Sequence, residues 1–409
     1  MDIRRMITYG LATASLLVTS GNLFAQGLSG KDSTSTQEVA QTVVTMKPGE
    51  TNFMMVGLTT FGFINQSVAQ TGAPTLKTNS MGDADRYEFS PMFLWRHGDN
   101  LLVEFEPSWN GSSLGVNWAD VSYFAAPGVI ARCGYIVLPF GIYNKRLAAG
   151  WIDKLTSDPI GMDVAGTDFG VELEGGLPIG STKISYDVSL TNGFQLNNDG
   201  TVTNGFLVAQ NNGKTVCGRI GFLPFSNSSL EVGVSGLYGA VATPAGATFT
   251  NTNPSSTAGP TVSMYALDLD FVHNYNPIQI NIKAQYSATM VNSMNYTDSL
   301  TPSLSFTNTI TDMFGQLSIR PSKSNNKIIK NLELAYRYVN YVTPKNSAWG
   351  QNYTESDIAL DYWVSWRTVL KVGYEMIKQN GTSVDNTEGF VNNTTTNTNN
   401  LIIQFSTEF

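Results

Sequence analysis

Charge is scarce in this chain. Asp, Glu, Lys and Arg make up 14% of its 409 residues, about half the usual share of a soluble globular domain. A surface wetted on all sides normally carries more. His97 and His273 are the only histidines, and Cys133 and Cys217 the only cysteines. That leaves no His/Cys cluster at metal-ligand spacing, and neither histidine has a Ser-plus-carboxylate setting for nucleophilic catalysis. Beyond residue 25 no run of 18 or more apolar residues occurs, so a membrane protein built from spanning helices is excluded. A basic stripe is missing too. The formal net charge is -8, and no nucleic-acid surface is expected.

What is present begins with export. Met1-Asp2-Ile3-Arg4-Arg5 is a short basic start, Met6 to Val18 an apolar run, and Leu23-Phe24-Ala25-Gln26 offers a cleavage point after Ala25. Residues 1–25 therefore read as a signal peptide. Residues 26–50 are polar and read as a flexible periplasmic lead-in, too short for a plug domain. An exported chain without spanning helices is either a soluble domain or a β-barrel.

From residue 51 to 409 the sequence favours the barrel. Strand-like segments recur at about 53–64, 84–95, 100–107, 114–125, 128–139, 164–174, 182–190 and 215–224. They continue at 229–239, 261–272, 278–288, 309–320, 330–341, 354–364, 367–377 and 400–409. Period-two alternation gives each two faces. Ile184, Tyr186, Val188 and Leu190 oppose Lys183, Ser185, Asp187 and Ser189; Leu332, Leu334, Tyr336 and Tyr338 oppose Glu333, Ala335 and Arg337. Short turns alternate with long segments, the latter at 66–82, 140–163, 191–214, 240–260, 289–308 and 378–398. Transmembrane barrels have tight turns at one end and longer loops at the other, and an even strand number. The fold class expected is all-β, a transmembrane antiparallel β-barrel of about 16 strands. The two cysteines fall in strands three places apart, beyond disulfide reach when neighbouring strands lie about 4.8 Å apart; free thiols are expected. Trp109, Trp118, Trp363 and Trp366, near strand ends, are candidates for interfacial aromatic girdles.

The closing segment, Leu401 to Phe409, has Leu401, Ile403, Phe405, Thr407 and Phe409 on one face and ends on an aromatic. It resembles the last strand of bacterial outer-membrane barrels, which implies that Phe409 is a membrane-insertion signal. The segment Pro139-Phe140-Gly141-Ile142-Tyr143-Asn144-Lys145-Arg146-Leu147 stands where the third outward loop of a 16-stranded porin would be. It resembles the phosphate-selective porin O/P group and its relatives. That resemblance implies a third loop folded into the pore, with Tyr143, Lys145, Arg146, Trp151, Asp153 and Lys154 at the constriction. It also implies outer-membrane lipid as surroundings, periplasmic termini and a homotrimer. Tyr143 and Trp151 either fasten the loop or offer a face to sugars.

By alternation Glu104, Glu106, Arg132, Glu172, Glu174, Lys183, Lys283 and Arg337 line the lumen. The acidic pairs either salt-bridge across the wall or stand on the ion path. Phosphate-selective members line their pores with many lysines; here acids and bases are mixed, which suits general diffusion or modest cation preference. The expected function is a passive channel for small hydrophilic solutes or ions, without cofactor or metal. A structural or adhesive barrel with contact loops at 251–256 and 392–400, and a barrel lipase or protease, are the alternatives.

Overall fold

The structure is a computed structural model, describing residues 51–81, 87–150, 152–162, 165–203, 214–242, 250–251, 259–292, 294–296, 304–385, 390–391 and 393–409. The expected signal peptide and lead-in, residues 1–50, lie outside the described residues.

A sheet in which every strand's N–H and C=O groups are to be paired must have no free edge. The chain meets this demand with one antiparallel sheet in which each strand pairs with the next in sequence. β1 (Thr51–Gln70) is followed by β2, which runs in two stretches, Leu76–Met81 and Tyr87–His97, both laid along β1. Then come β3 (Leu101–Trp109), β4 (Leu114–Ala126), β5 (Val129–Val137), β6 (Thr167–Ile179) and β7 (Thr182–Thr191). Next are β8 (Thr215–Leu223), β9 (Leu230–Ala240), β10 (Thr261–Tyr275) and β11 (Ile278–Val291). β12 (Thr309–Arg320), β13 (Leu332–Val342), β14 (Gln351–Ser365), β15 (Thr368–Gly381) and β16 (Thr395–Glu408) complete the set. β16 then returns to β1, with Leu58 opposite Glu408 and the pairing running up to Gln70 opposite Thr396. Gly57 N donates to Phe409 O at 3.0 Å, and Phe409 N donates back to Gly57 O at 2.9 Å. The result is a closed barrel of 16 strands.

The two faces follow the alternation. On β16, Leu401, Ile403, Phe405 and Phe409 are exposed on the outside, while Asn400, Gln404, Ser406 and Glu408 are buried within. On β13, Leu334, Tyr336 and Tyr338 are outward and Glu333 and Arg337 inward. Outer aromatics stack beside the closing seam, Phe53 on Phe93 and Phe93 on Phe105, and across it, Phe89 on Phe409. Some inward positions are apolar, among them Leu237, Val262 and Met264, and these pack against Leu138, Phe140, Phe194 and Leu196 from the loops.

Several sequence expectations need correction. Trp109 and Trp366 are exposed, but Trp118 and Trp363 are buried and point inward. A β-bulge between Glu106 and Pro107 breaks the register, so that β4 exchanges faces after Val116. Trp363 shares the inward parity of Asp357 and Asp361, and its Nε1 donates to Glu333 Oε2 at 2.8 Å. The first long loop shrinks to residues 71–75, because polar Asn65 to Val68 continue to pair with Leu76 to Asn79 through their backbones. The stretch at 392–400 is mostly wall: from Thr395 onward it is β16, paired with β1 and β15. Both cysteines are free, Cys133 on the outer face and Cys217 buried within.

Closure leaves no room at Gly57. A Cβ there would lie 2.6 Å from Phe409 Cζ, 2.7 Å from Ser90 O and 2.9 Å from Pro91 Cα. Gly57→Val is therefore expected to cost about 1–3 kcal/mol and to lower the fraction of compact, heat-modifiable barrel on cold SDS gels. Thr59→Val, one outward position along, leaves that fraction unchanged.

Candidate functional site

The connection from β5 to β6, residues 138–166, does not stay outside. It bends inward at Gly141, whose φ of 64° suits glycine and where a Cβ would strike the Gln285 side chain at 2.2 Å. Gly141 N donates to Ser235 Oγ at 3.0 Å, and the N–H groups of Ile142 and Tyr143 both donate to Gln285 Oε1, at 2.8 and 3.1 Å. A π-helical turn, Tyr143–Leu147, follows. It presents Lys145 and Arg146 to the wall, while Ile142, Tyr143 and Leu147 pack on Phe314 and Val339. Tyr143 OH donates to Asp158 Oδ1 at 2.6 Å.

Lys145 is the best-held group of the loop. Its Nζ donates to Glu172 Oε1 at 2.6 Å, to Glu174 Oε2 at 3.0 Å and to Asp187. The wall adds Arg132, which bonds Glu172 Oε2 at 3.1 Å and Glu174 Oε1 at 3.0 Å and pairs with Asp120 at 3.4 Å. Burial pulls the Lys145 ammonium down, but Asp187, Glu172 and Glu174 outweigh it and hold the group above the ordinary lysine range. Arg146 pairs with Glu231, which also takes Arg219 Nη1 at 2.8 Å.

The loop then crosses to the opposite wall. Asp153 Oδ2 pairs with Arg337 Nη1 at 3.2 Å, and Lys371 Nζ donates to the carbonyls of Asp153 and Leu155 at 2.6 and 2.8 Å. Lys154 lies 3.8 Å from Glu333 and sits over the Trp363 ring, 4.3 Å from its centroid. Leu155 packs on Ala335 and Ala359. The loop is thus fastened to β6, β7 and β9 at one end and to β13 and β15 at the other.

Of the residues expected at the constriction, Tyr143, Lys145, Arg146, Asp153 and Lys154 are brought together on this loop; Trp151 lies outside the described residues. Each of the five is paired. Of those expected to line the lumen, Glu104, Glu106, Arg132, Glu172, Glu174, Lys283 and Arg337 are buried on the inner face. Asn117 Nδ2 donates to Glu106 Oε1 at 2.9 Å, whereas neither oxygen of Glu104 has a hydrogen-bond partner among the described residues. Lys283 pairs with Asp270. Lys183 stands apart, bonded to Ser228 Oγ at 2.8 Å beside a short turn. The sequence reading passed over Glu231, Glu355, Asp357 and Glu375. Their signal was available: Glu231 alternates with exposed Val232 and Val234, and Glu355 and Asp357 share the parity of Asp361.

The overall balance inside is acidic. Seventeen Asp and Glu residues are buried among the described residues, against seven Lys and Arg. The histidines lie elsewhere, with His97 bonded to Thr51 Oγ1 and stacked on Trp95, and His273 between Phe271 and Tyr275.

No protein-family model matches the chain, and no curated protein is similar to it in sequence. Solved structures are similar. An anion-selective porin from Comamonas acidovorans superposes with a TM-score of 0.54 at 10% identity, over 88% of this chain and 100% of that one. The outer membrane channel DcaP of Acinetobacter baumannii gives 0.55 at 13% identity, over 89% and 100%. The shared feature is the fold, a closed antiparallel β-barrel of 16 strands like those of these outer-membrane structures. At these identities the likeness concerns the barrel and says nothing about what passes through it.

Lys145 is the test of how the loop is held. Lys145→Met strips the one ammonium from three buried carboxylates, a loss of about 3–5 kcal/mol for a broken buried pair. Proteolysis within 138–166 is expected to rise sharply in this variant. Because the folded-state value is raised, the contribution of Lys145 is complete below the ordinary lysine range and fades only at pH above it. Wild-type protection from cleavage should therefore be the same at pH 7 and pH 9.

Proposed function

We propose that the chain is a passive channel of the outer membrane, admitting small hydrophilic solutes and ions with a preference for cations. One observation carries this reading: apolar side chains cover the outside of a closed barrel whose interior holds many more carboxylates than basic groups. Such an exterior suits lipid, and charge fixed along a confined path sets the sign of the barrier. The loop 138–166 lies across that path as the constriction, and a solute passing it moves down its own gradient.

The resemblance of residues 139–147 to phosphate-selective porins supports the porin reading. The acidic interior speaks against phosphate as the preferred solute, since an anion route needs unneutralised positive charge. Lys145 and Arg146, the natural candidates, are each neutralised by the wall. An N-terminal export signal, periplasmic termini and a homotrimer belong to the same reading. No observation favours a barrel enzyme: among the described residues both histidines face aromatic rings outside the lumen.

Planar-bilayer recording tests the proposal. Reversal potentials in a KCl gradient are expected to show potassium passing more readily than chloride. In Lys145→Ala/Arg146→Ala, the wall carboxylates lose their loop-borne counter-charges. Conductance rises and the potassium-to-chloride ratio grows by at least about twofold. A bilayer that stays silent with folded barrel inserted overturns the channel reading, and chloride preference overturns the cation reading.

A further inference from the structure

Three carboxylates converge twice within this barrel. The ligand oxygens of Glu172, Glu174 and Asp187 lie within 4.8 Å of one another, and so do those of Glu355, Asp357 and Glu375. The first trio is filled by the Lys145 ammonium, which donates to all three members. For the second trio no loop lysine forms a described bond.

Its only described cation is Arg337, which approaches from one side. Arg337 Nη2 takes Glu355 Oε1 at 3.1 Å and Asp357 Oδ2 at 2.9 Å, while its Nη1 is committed to Asp153. The other oxygens of the pair, Glu355 Oε2 and Asp357 Oδ1, have no hydrogen-bond partner among the described residues. Glu375 lies opposite Asp357 on β15, and Asn400 opposite Glu375 on β16. Asn400 Nδ2 donates to Glu375, and its Oδ1 is a third buried oxygen without a partner among the described residues. Glu355, Asp357, Glu375 and Asn400 are each 4% exposed or less. Three carboxylates, Asp153 included, thus share a single guanidinium, and Glu375 has no described ion pair.

We propose that Glu355, Asp357, Glu375 and the Asn400 amide oxygen form a binding site for a hard divalent cation, Ca²⁺ in the first instance. Hard cations take oxygen ligands at 2.3–2.6 Å for Ca²⁺, and oxygens on opposite sides of such an ion are about 4.6–5.2 Å apart, on the scale of this trio. Carboxylates and an amide oxygen are the donor set that calcium prefers, and water completes its shell of six to eight. Arg337 holds Glu355 and Asp357 from behind, which positions the pair as the outer-shell partners of metal ligands do. The ion would tie β14, β15 and β16 together beside the point where the loop is fastened to Arg337.

Calorimetric titration of Ca²⁺ into the full-length, detergent-solubilised barrel tests this. One site per barrel is expected, with affinity falling at least tenfold in Glu375→Gln and in Asn400→Ala. Glu408→Gln, at the rim, should leave it unchanged. Heat-modifiable gel mobility shows whether each variant has folded. Should Glu375→Gln fail to fold, Asn400→Ala, which removes no charge, carries the comparison alone. Absence of Ca²⁺ binding, with the two carboxylates sharing a proton instead, overturns the site, as does binding that both substitutions leave intact. Because the readout is binding and not conductance, its failure leaves the channel reading standing.

Discussion

A sheet that closes on itself leaves no edge with free N–H and C=O groups, so the pairing of β16 with β1 is the contact on which the rest of this structure depends. Thirteen residues of each strand face one another along that seam. Were it open, Leu401, Ile403 and Phe405 would form an apolar edge with free N–H and C=O groups, the arrangement that recruits another strand. Once it is shut, period-two alternation fixes every other position. In the membrane setting proposed above, a residue on the wrong parity would put charge in lipid, at about 2–4 kcal/mol for Lys or Arg at mid-depth. Gly57 belongs to the same constraint, since the Phe409 ring lies over it and only a residue without a Cβ fits.

Inside, packing follows different rules. The 138–166 loop buries Ile142, Leu147 and Leu155, yet the groups that set its position are ionic: Lys145, Arg146, Asp153 and Lys154 each meet an opposite charge from a strand. Buried ion pairs contribute little net stability compared with apolar side chains of the same volume, but losing one partner is costly. Such contacts therefore specify where a loop sits more than they stabilise the barrel. They suit a segment held among the polar and charged side chains of the barrel interior.

Much of this was legible from the residues alone, for identifiable reasons. Alternation and loop length both derive from the barrel's geometry, and so strand number and many inner charges could be read directly, while the inward third loop was implied by the resemblance of residues 139–147 to porins. What failed was parity across irregularities and the extent of polar strands. Trp118 points inward because one bulge, at Pro107, reversed the faces of β4, and no composition signal marks a bulge. β1 runs on to Gln70 because backbone pairing is indifferent to whether a side chain is Ser or Val. Convergence was illegible for a third reason. Lys145 and Asp187 are 42 residues apart, and Asp153 and Arg337 are 184 apart; only closure brings them together.

The inner charges also divide by origin. One lateral row crosses eight strands from Glu231 through Asp270, Lys283, Gln316, Arg337, Asp357 and Glu375 to Asn400, each residue opposite the next. Its positive members, Lys283 and Arg337, are fixed in the wall. On the β6–β7 side the ammonium among Glu172, Glu174 and Asp187 belongs to the loop. Any displacement of the loop would remove counter-charge from that side while leaving Lys283 and Arg337 in place. In the channel proposed above, width and charge at the loop would consequently not be independent: a wider passage would also be a more acidic one, because one lysine both fastens the loop and neutralises the wall.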